Sequence, residues 1–187
     1  MRSVISWSIF VFLILSASLI HSQDYMAEQP VLITSAGQSS DVLMGKILAG
    51  KANLKFIFNK QAQAAQLDSV KSIIIVSGGS VKGMGAAGID KDQEIERVKT
   101  ILSTAKKNEQ PVIGMHLGGK SRRGSLSDEF NRIVAENSDY LIIVKEGDED
   151  GFFSGIAAEK KITCDHAENI VSVQQILEKI YGADLNE

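Results

Sequence analysis

The chain has 187 residues, with 20 Lys and Arg against 23 Asp and Glu and a net charge of −3. So mild an acidity excludes the basic face that nucleic-acid binding needs. Its single cysteine, Cys164, excludes an intramolecular disulfide and a cysteine-based zinc cluster, and with them the stapled small domains frequent among secreted proteins.

Met1-Arg2 supplies a positive start, Val4 to Ile20 is apolar apart from a few serines, and His21-Ser22-Gln23 offers small or polar residues at a cleavage point. This reads as a secretory signal peptide over residues 1–22. An uncleaved anchor is the alternative, since spanning a bilayer takes roughly 17–25 apolar residues. No cysteine follows the apolar run, so no lipidated N-terminus is expected. Processing removes Arg2 and Trp7, leaving 19 basic against 23 acidic residues and a net charge of −4. The expectation is an exported protein, periplasmic or secreted, with no membrane span after processing. A short polar leader (23–29) precedes one α/β domain (30–187), large enough for a good core.

From there short apolar runs alternate with amphipathic segments. Val31–Thr34 reads as a strand. Ser39 and Ser40 then precede Asp41-Val42-Leu43-Met44-Gly45-Lys46-Ile47-Leu48, apolar at helical spacing, with Gly50 near the stop. Leu54–Phe58 and Ser72–Ser77 are the next strands. Asp90-x-x-Gln93 is a capping-box start to a helix reaching about Lys107, whose Ile95, Val98, Ile101 and Leu102 form one stripe. Pro111–His116 is a fourth strand. Ser125 or Ser127 opens a helix with Phe130, Ile133 and Val134 inward. Tyr140–Lys145 is a fifth strand, followed by helices over Phe152–Lys160 and Ile170–Tyr181. Ile162–Cys164 is ambiguous, and Cys164 reads as a small buried residue near a strand end.

Strands that are short and apolar throughout, each followed by a helix, predict buried parallel strands with right-handed crossovers. The expected fold is a three-layer doubly wound α/β sheet, flavodoxin-like or Rossmann-like, with about five strands. Strand order is left open, and an order 2-1-3-4-5 would make the loops after the first, third and fourth strands neighbours. Ligands of such sheets bind beyond the carboxyl ends of the strands, at the switch in strand order. The loops leaving those ends carry Ser35-Ala36-Gly37-Gln38-Ser39-Ser40, Gly78-Gly79-Ser80-Val81-Lys82-Gly83, His116 to Gly124, and Glu146-Gly147-Asp148-Glu149-Asp150. Nine of the 16 glycines lie between Gly78 and Gly88 or between Gly114 and Gly124.

Two nucleotide motifs match in letters and fail in context. Gly114-Met115-His116-Leu117-Gly118-Gly119-Lys120-Ser121 fits G-x-x-x-x-G-K-[ST], yet Gly114 lies inside the apolar strand and the helix starts only at Ser125–Ser127. No later strand ends in an acid for magnesium. Gly83-Met84-Gly85-Ala86-Ala87-Gly88 fits G-x-G-x-x-G, but Gly83 stands six residues past Ser77 and the helix is placed at Asp90, after the last glycine. Gly78-Gly79-Ser80-Val81-Lys82 has Lys82 where a nucleophile elbow needs glycine. No cofactor is expected.

His116, at a strand's carboxyl end, is the candidate base, with Ser35 or Ser80 as nucleophile if the fold assembles them. The alternative is a structural histidine bonded to loop carbonyls. His166 reads as a solvated turn residue. Glu146, Asp148, Glu149 and Asp150 are weak candidates for a hard cation. Their alternative is a solvated acidic loop that caps the helix at Phe152 or pairs with Arg122 and Arg123. Lys82, Lys120, Arg122 and Arg123, set beside glycine-rich backbone, suit anion recognition; exposed charge without a ligand is the alternative.

Gln29-Pro30-Val31-Leu32-Ile33-Thr34-Ser35-Ala36-Gly37-Gln38-Ser39 resembles the start of a small family of exported prokaryotic proteins catalogued only as a domain of unknown function. Gly78-Gly79-Ser80-x-Lys82-Gly83-x-Gly85-Ala86-Ala87-Gly88-Ile89 resembles its second block. His116-x-Gly118-Gly119-x-x-Arg122-Arg123-Gly124-x-Leu126-Ser127-Asp128 is similar to its third, and Glu146-Gly147-x-Glu149-Asp150-Gly151 to its fourth. The resemblance spans residues 29 to about 165. It implies an exported α/β domain and carries no activity.

The leading reading is an exported module binding a small anionic or polar ligand through Ser35, Gly37, Gln38, Ser39, Gly78, Gly79, Ser80, His116, Gly118, Gly119, Arg122 and Arg123. A hydrolase or transferase using His116 with Ser35 or Ser80 is the second. A non-catalytic structural or partner-binding protein is the third. Oligomeric state is left open.

Overall fold

The structure, a computed structural model, describes residues 25–182. The expected signal peptide lies outside the described residues. Six parallel strands, β1 (Val31–Ala36), β2 (Phe56–Phe58), β3 (Ser72–Ser77), β4 (Val112–His116), β5 (Tyr140–Val144) and β6 (Thr163–Ala167), form one sheet. Their order is β2-β1-β3-β4-β5-β6.

The expected α/β class holds, with six strands in place of five, and the order, open in the sequence, makes the loops after β1, β3 and β4 neighbours. The sixth grows from the ambiguous Ile162–Cys164 run. As an edge strand with a wet face, β6 tolerates the polar sequence Thr163-Cys164-Asp165-His166-Ala167. The four central strands are buried at every position, because helices cover both faces.

Helices α1 (Asp41–Lys51) and α6 (Val173–Tyr181) cover one face; α3 (Lys91–Lys107), α4 (Ser125–Glu136) and α5 (Phe152–Lys160) cover the other. Alternation along each strand divides the core accordingly. Ile33, Ile74, Val76 and Met115 meet Val42, Leu48 and Leu177. Leu32, Ile73 and Ile75 meet Val98, Ile101 and Phe130, and Leu141 and Ile143 meet Phe153 and Ile156.

One expectation is corrected. The glycine-rich stretch after β3 is not an open loop, for Val81–Ala87 forms a further helix, α2. Ser80 caps it, its Oγ accepting from Gly83 N at 2.9 Å, and Gly88 ends it at φ +70°. Helix α3 then starts where the capping box predicts, with Gln93 N donating to Asp90 Oδ1 at 2.8 Å and Asp90 N to Gln93 Oε1 at 3.0 Å. No helix among the described residues is long and apolar enough to cross a membrane.

Candidate functional site

The switch in strand order falls between β1 and β3, where a ligand crevice is expected. The chain's own loops occupy it. Gln38 bridges Gly79 in antiparallel fashion, Gly78 N donates to Ala36 O at 2.9 Å, and Ser80 N donates to Gly37 O at 2.8 Å. A Cβ on Gly37 would lie 2.6 Å from Gly78 O and 2.8 Å from Phe130 Cδ2, and one on Gly83 would collide with Gln38 O. These glycines let backbone approach backbone.

Beneath the loops lies a polar network that the sequence reading missed. Glu94, fully buried, accepts from Gly37 N at 2.9 Å and Gln38 Nε2 at 3.0 Å. Arg97 binds both its oxygens at 2.7 and 2.8 Å and also donates to the carbonyls of Ser35 and Ala62. The only local signal is the Glu94/Arg97 i,i+3 spacing beside the apolar stripe, a pattern shared with solvated ion pairs.

His116 is fully buried. Its Nε2 lies 3.1 Å from Gly119 O, so Nε2 carries the proton. Its Nδ1 completes no hydrogen bond, although the Asn131 side chain stands close enough to favour the charged form slightly. The ring packs 4.8 Å from the Phe153 ring, and a Cβ on Gly147 would come within 2.5 Å of it. Burial pulls its pKa below the usual value, opposed by the Gly119 carbonyl.

The structure does not bring the expected nucleophiles to this histidine. Ser35 pairs in register with Val76, which belongs to the core on the α1/α6 face. His116 pairs with Ile143, which belongs to the core on the opposite face. The sheet therefore separates Ser35 from His116, and Ser80 Oγ is engaged in capping α2.

The basic residues are largely neutralised within the chain. Arg122 Nε donates to Asp41 at 3.0 Å, and Lys120 pairs with Glu149 at 2.6 Å. Arg123 is bonded to Asp150 at 2.8 and 2.9 Å, to Asp128 at 2.7 and 3.3 Å, and to Gly147 O at 2.6 Å. It also lies 4.4 Å from the centre of the Phe152 ring. Asp150 and then Asp128 raise the Arg123 pKa, while Arg123 holds Asp150 at about 2. Lys82 is exposed.

The weak metal candidates do not converge, and no metal-binding cluster exists among the described residues. Asp148 instead caps α5, accepting from Phe153 N at 2.6 Å and Ser154 N at 3.0 Å. His166, expected as a solvated turn residue, lies in β6 with Nε2 2.7 Å from Asp148 Oδ2. Burial raises the Asp148 pKa, but hydrogen bonds from Ser154, His166 and the α5 backbone outweigh it and leave the group below its usual value. Asp150 faces Arg123, and Glu146 stands exposed.

What remains open on this rim is a cleft of about 670 Å³ at the carboxyl ends of β4, β5 and β6, within the range of small-molecule sites. One wall is Leu117, Gly118, Gly119, Val144 and Glu146. The other runs from Glu168 through Asn169, Ile170 and Val171 to Ser172 and Gln175. Of the expected ligand-binding residues only Gly118 and Gly119 line it, together with Glu146, a weak metal candidate. A second hollow of about 610 Å³ lies beside Pro111 and Val112, at the amino end of β4, where this architecture does not place ligands.

Fold and rim together define a small single-domain α/β protein with a sealed switch point and one open strand-end cleft among the described residues. The chain belongs to the DUF6305 family, a domain of unknown function, whose model matches residues 28–181. No curated protein matches it. Among solved structures, the esterase AlinE4 of the SGNH-hydrolase family is 12% identical with a TM-score of 0.31, each chain covered over 75%. A mutant of that esterase is 13% identical, with the same TM-score and coverage. Likeness of that degree carries no argument about activity.

Proposed function

We propose that this domain binds a small polar molecule in the cleft between the loops after β4, β5 and β6. It is read as acting outside the cytoplasm, a reading supported by the signal-like residues 1–22. The observation that carries the binding proposal is the cleft itself, about 670 Å³ with apolar walls and a few polar groups. The polar half of the expected "anionic or polar" ligand is favoured, because Arg122 and Arg123 already hold carboxylates. A hydrolase reading has no comparable support, since His116 is sealed beneath Gly147 and Phe153.

Thermal-shift screening of the purified protein against polar, anionic and cationic small molecules tests this. A ligand present at 100 times its dissociation constant adds about 2.7 kcal/mol of stability. Gln175→Trp, an exposed wall position, should plug the cleft and remove the shift, whereas Arg122→Ala should leave it. The reverse pattern would move the site to the arginine rim, and no shift from any compound would defeat the reading.

A further inference from the structure

Resting on the cleft reading above, we infer that the cleft selects a small organic cation, an ammonium head joined to an aliphatic body. Its lining contains two carboxylates, Glu146 and Glu168, and no lysine, arginine or histidine. Glu168 is engaged with Lys145 at 2.9 Å. The neighbouring cation, Lys120, is taken by Glu149. Glu146 forms no ion pair among the described residues. It stands beside Gly119, where its Oε2 is only 3.2 Å from the position a Cβ would take. The absent side chain leaves that carboxylate open to the cleft.

The opposite wall supplies no competing anion site. The N-terminus of α6 points its positive end at the cleft, but its leading amides are satisfied internally. Val171 N and Ser172 N donate to Asn169 Oδ1 at 2.9 and 3.2 Å. Val173 N and Gln174 N donate to the carbonyls of Ile170 and Val171. Ser172 Oγ is bound to Asn169 as well. What the wall does offer is apolar surface, with Val171 69% exposed and Ile170 beside it. An aliphatic body covering Val171 and Ile170 would remove their apolar surface from water while its ammonium reaches Glu146.

The test compares pentylammonium, pentanol and pentanoate, matched in their aliphatic part, by ligand-observed NMR titration and by amide shifts at Gly118 and Gly119. Pentylammonium should bind about fivefold tighter than pentanol, with pentanoate weakest, and the preference should shrink as salt is raised. Glu146→Gln should remove the preference while pentanol binding persists, and Gln175→Trp should remove all binding. Equal binding of pentylammonium and pentanol, both lost in Gln175→Trp, overturns the cation inference and leaves the cleft reading standing. Tighter pentanoate, or a preference that survives Glu146→Gln, also overturns it. Absence of binding by all three probes at millimolar concentration overturns it together with this use of the cleft.

Discussion

Gln38 and Gly79 pair across the ends of β1 and β3, and this contact closes the crevice where a doubly wound sheet ordinarily receives its ligand. Gln38 sits at φ +58°, a left-handed conformation that costs a non-glycine residue free energy. It is held there by its Nε2 bonds to Glu94 and to Lys60 O at 3.0 and 3.2 Å. The closed crevice thus depends on a buried carboxylate supplied from α3.

Breaking that support should be costly. Arg97→Met leaves Glu94 buried and uncompensated, and removing one partner of such a pair destabilises by about 3–5 kcal/mol. Urea denaturation should show this loss, and the double change Glu94→Gln with Arg97→Met should recover part of it. A loss under about 1 kcal/mol for Arg97→Met would mean that the network does not fix the loop.

Two glycines of one short helix should respond with opposite sign. Gly83→Ala forces a Cβ onto the Gln38 carbonyl, a backbone atom that cannot turn away, and should cost about 1–3 kcal/mol. Gly85→Ala meets open space and should stabilise by about 0.5–1 kcal/mol by reducing the freedom of the unfolded chain. Chemical denaturation of both variants checks the pair.

Burial lowers the His116 pKa below 6.5, so this group makes stability fall as the pH is lowered. Above about 6.5 both folded and unfolded chains carry it neutral, and its full contribution is present. As pH drops below that value the unfolded chain takes up the proton first, and stability is lost until the folded value is passed. Stability from urea melts between about pH 7 and pH 4 should therefore slope less for His116→Gln than for the parent. An unchanged slope between the two would rule out this role. The depressed carboxylates Asp128, Asp148 and Asp150 act in the same direction at lower pH.

Cys164 should be inert while the domain is folded. Burial, then the charges of Asp148 and Asp165, push its thiol up to about 12, so at pH 8 only on the order of one in ten thousand is thiolate. Iodoacetamide labelling at that pH should be slow in buffer and rapid in urea. Rapid labelling of the native protein would contradict the burial.

The sequence by itself determined the layered architecture. Strands β1, β3, β4 and β5 are buried on both faces, so they read as apolar runs whatever their neighbours are. Asp90 and Gln93 announced α3 because a capping box is built from residues three apart. Signals failed where the deciding contact lies far along the chain. For Arg122 and Arg123 the sequence left open an anion fork or a partner in the acidic loop. Only the fold decides for Asp150, 27 residues on, at Arg123, and for Asp41, 81 residues back, at Arg122. Gly37, Gly78 and Gly79 read as room for a ligand, and only packing shows that the chain itself takes the space. His116 and Ser35 share a rim in any reading of the loops; the register of six strands alone sets them on opposite faces of the sheet. Local periodicity encodes which segments are strands and helices, whereas a binding surface is whatever the folded chain leaves uncovered, and that is a property of the tertiary structure.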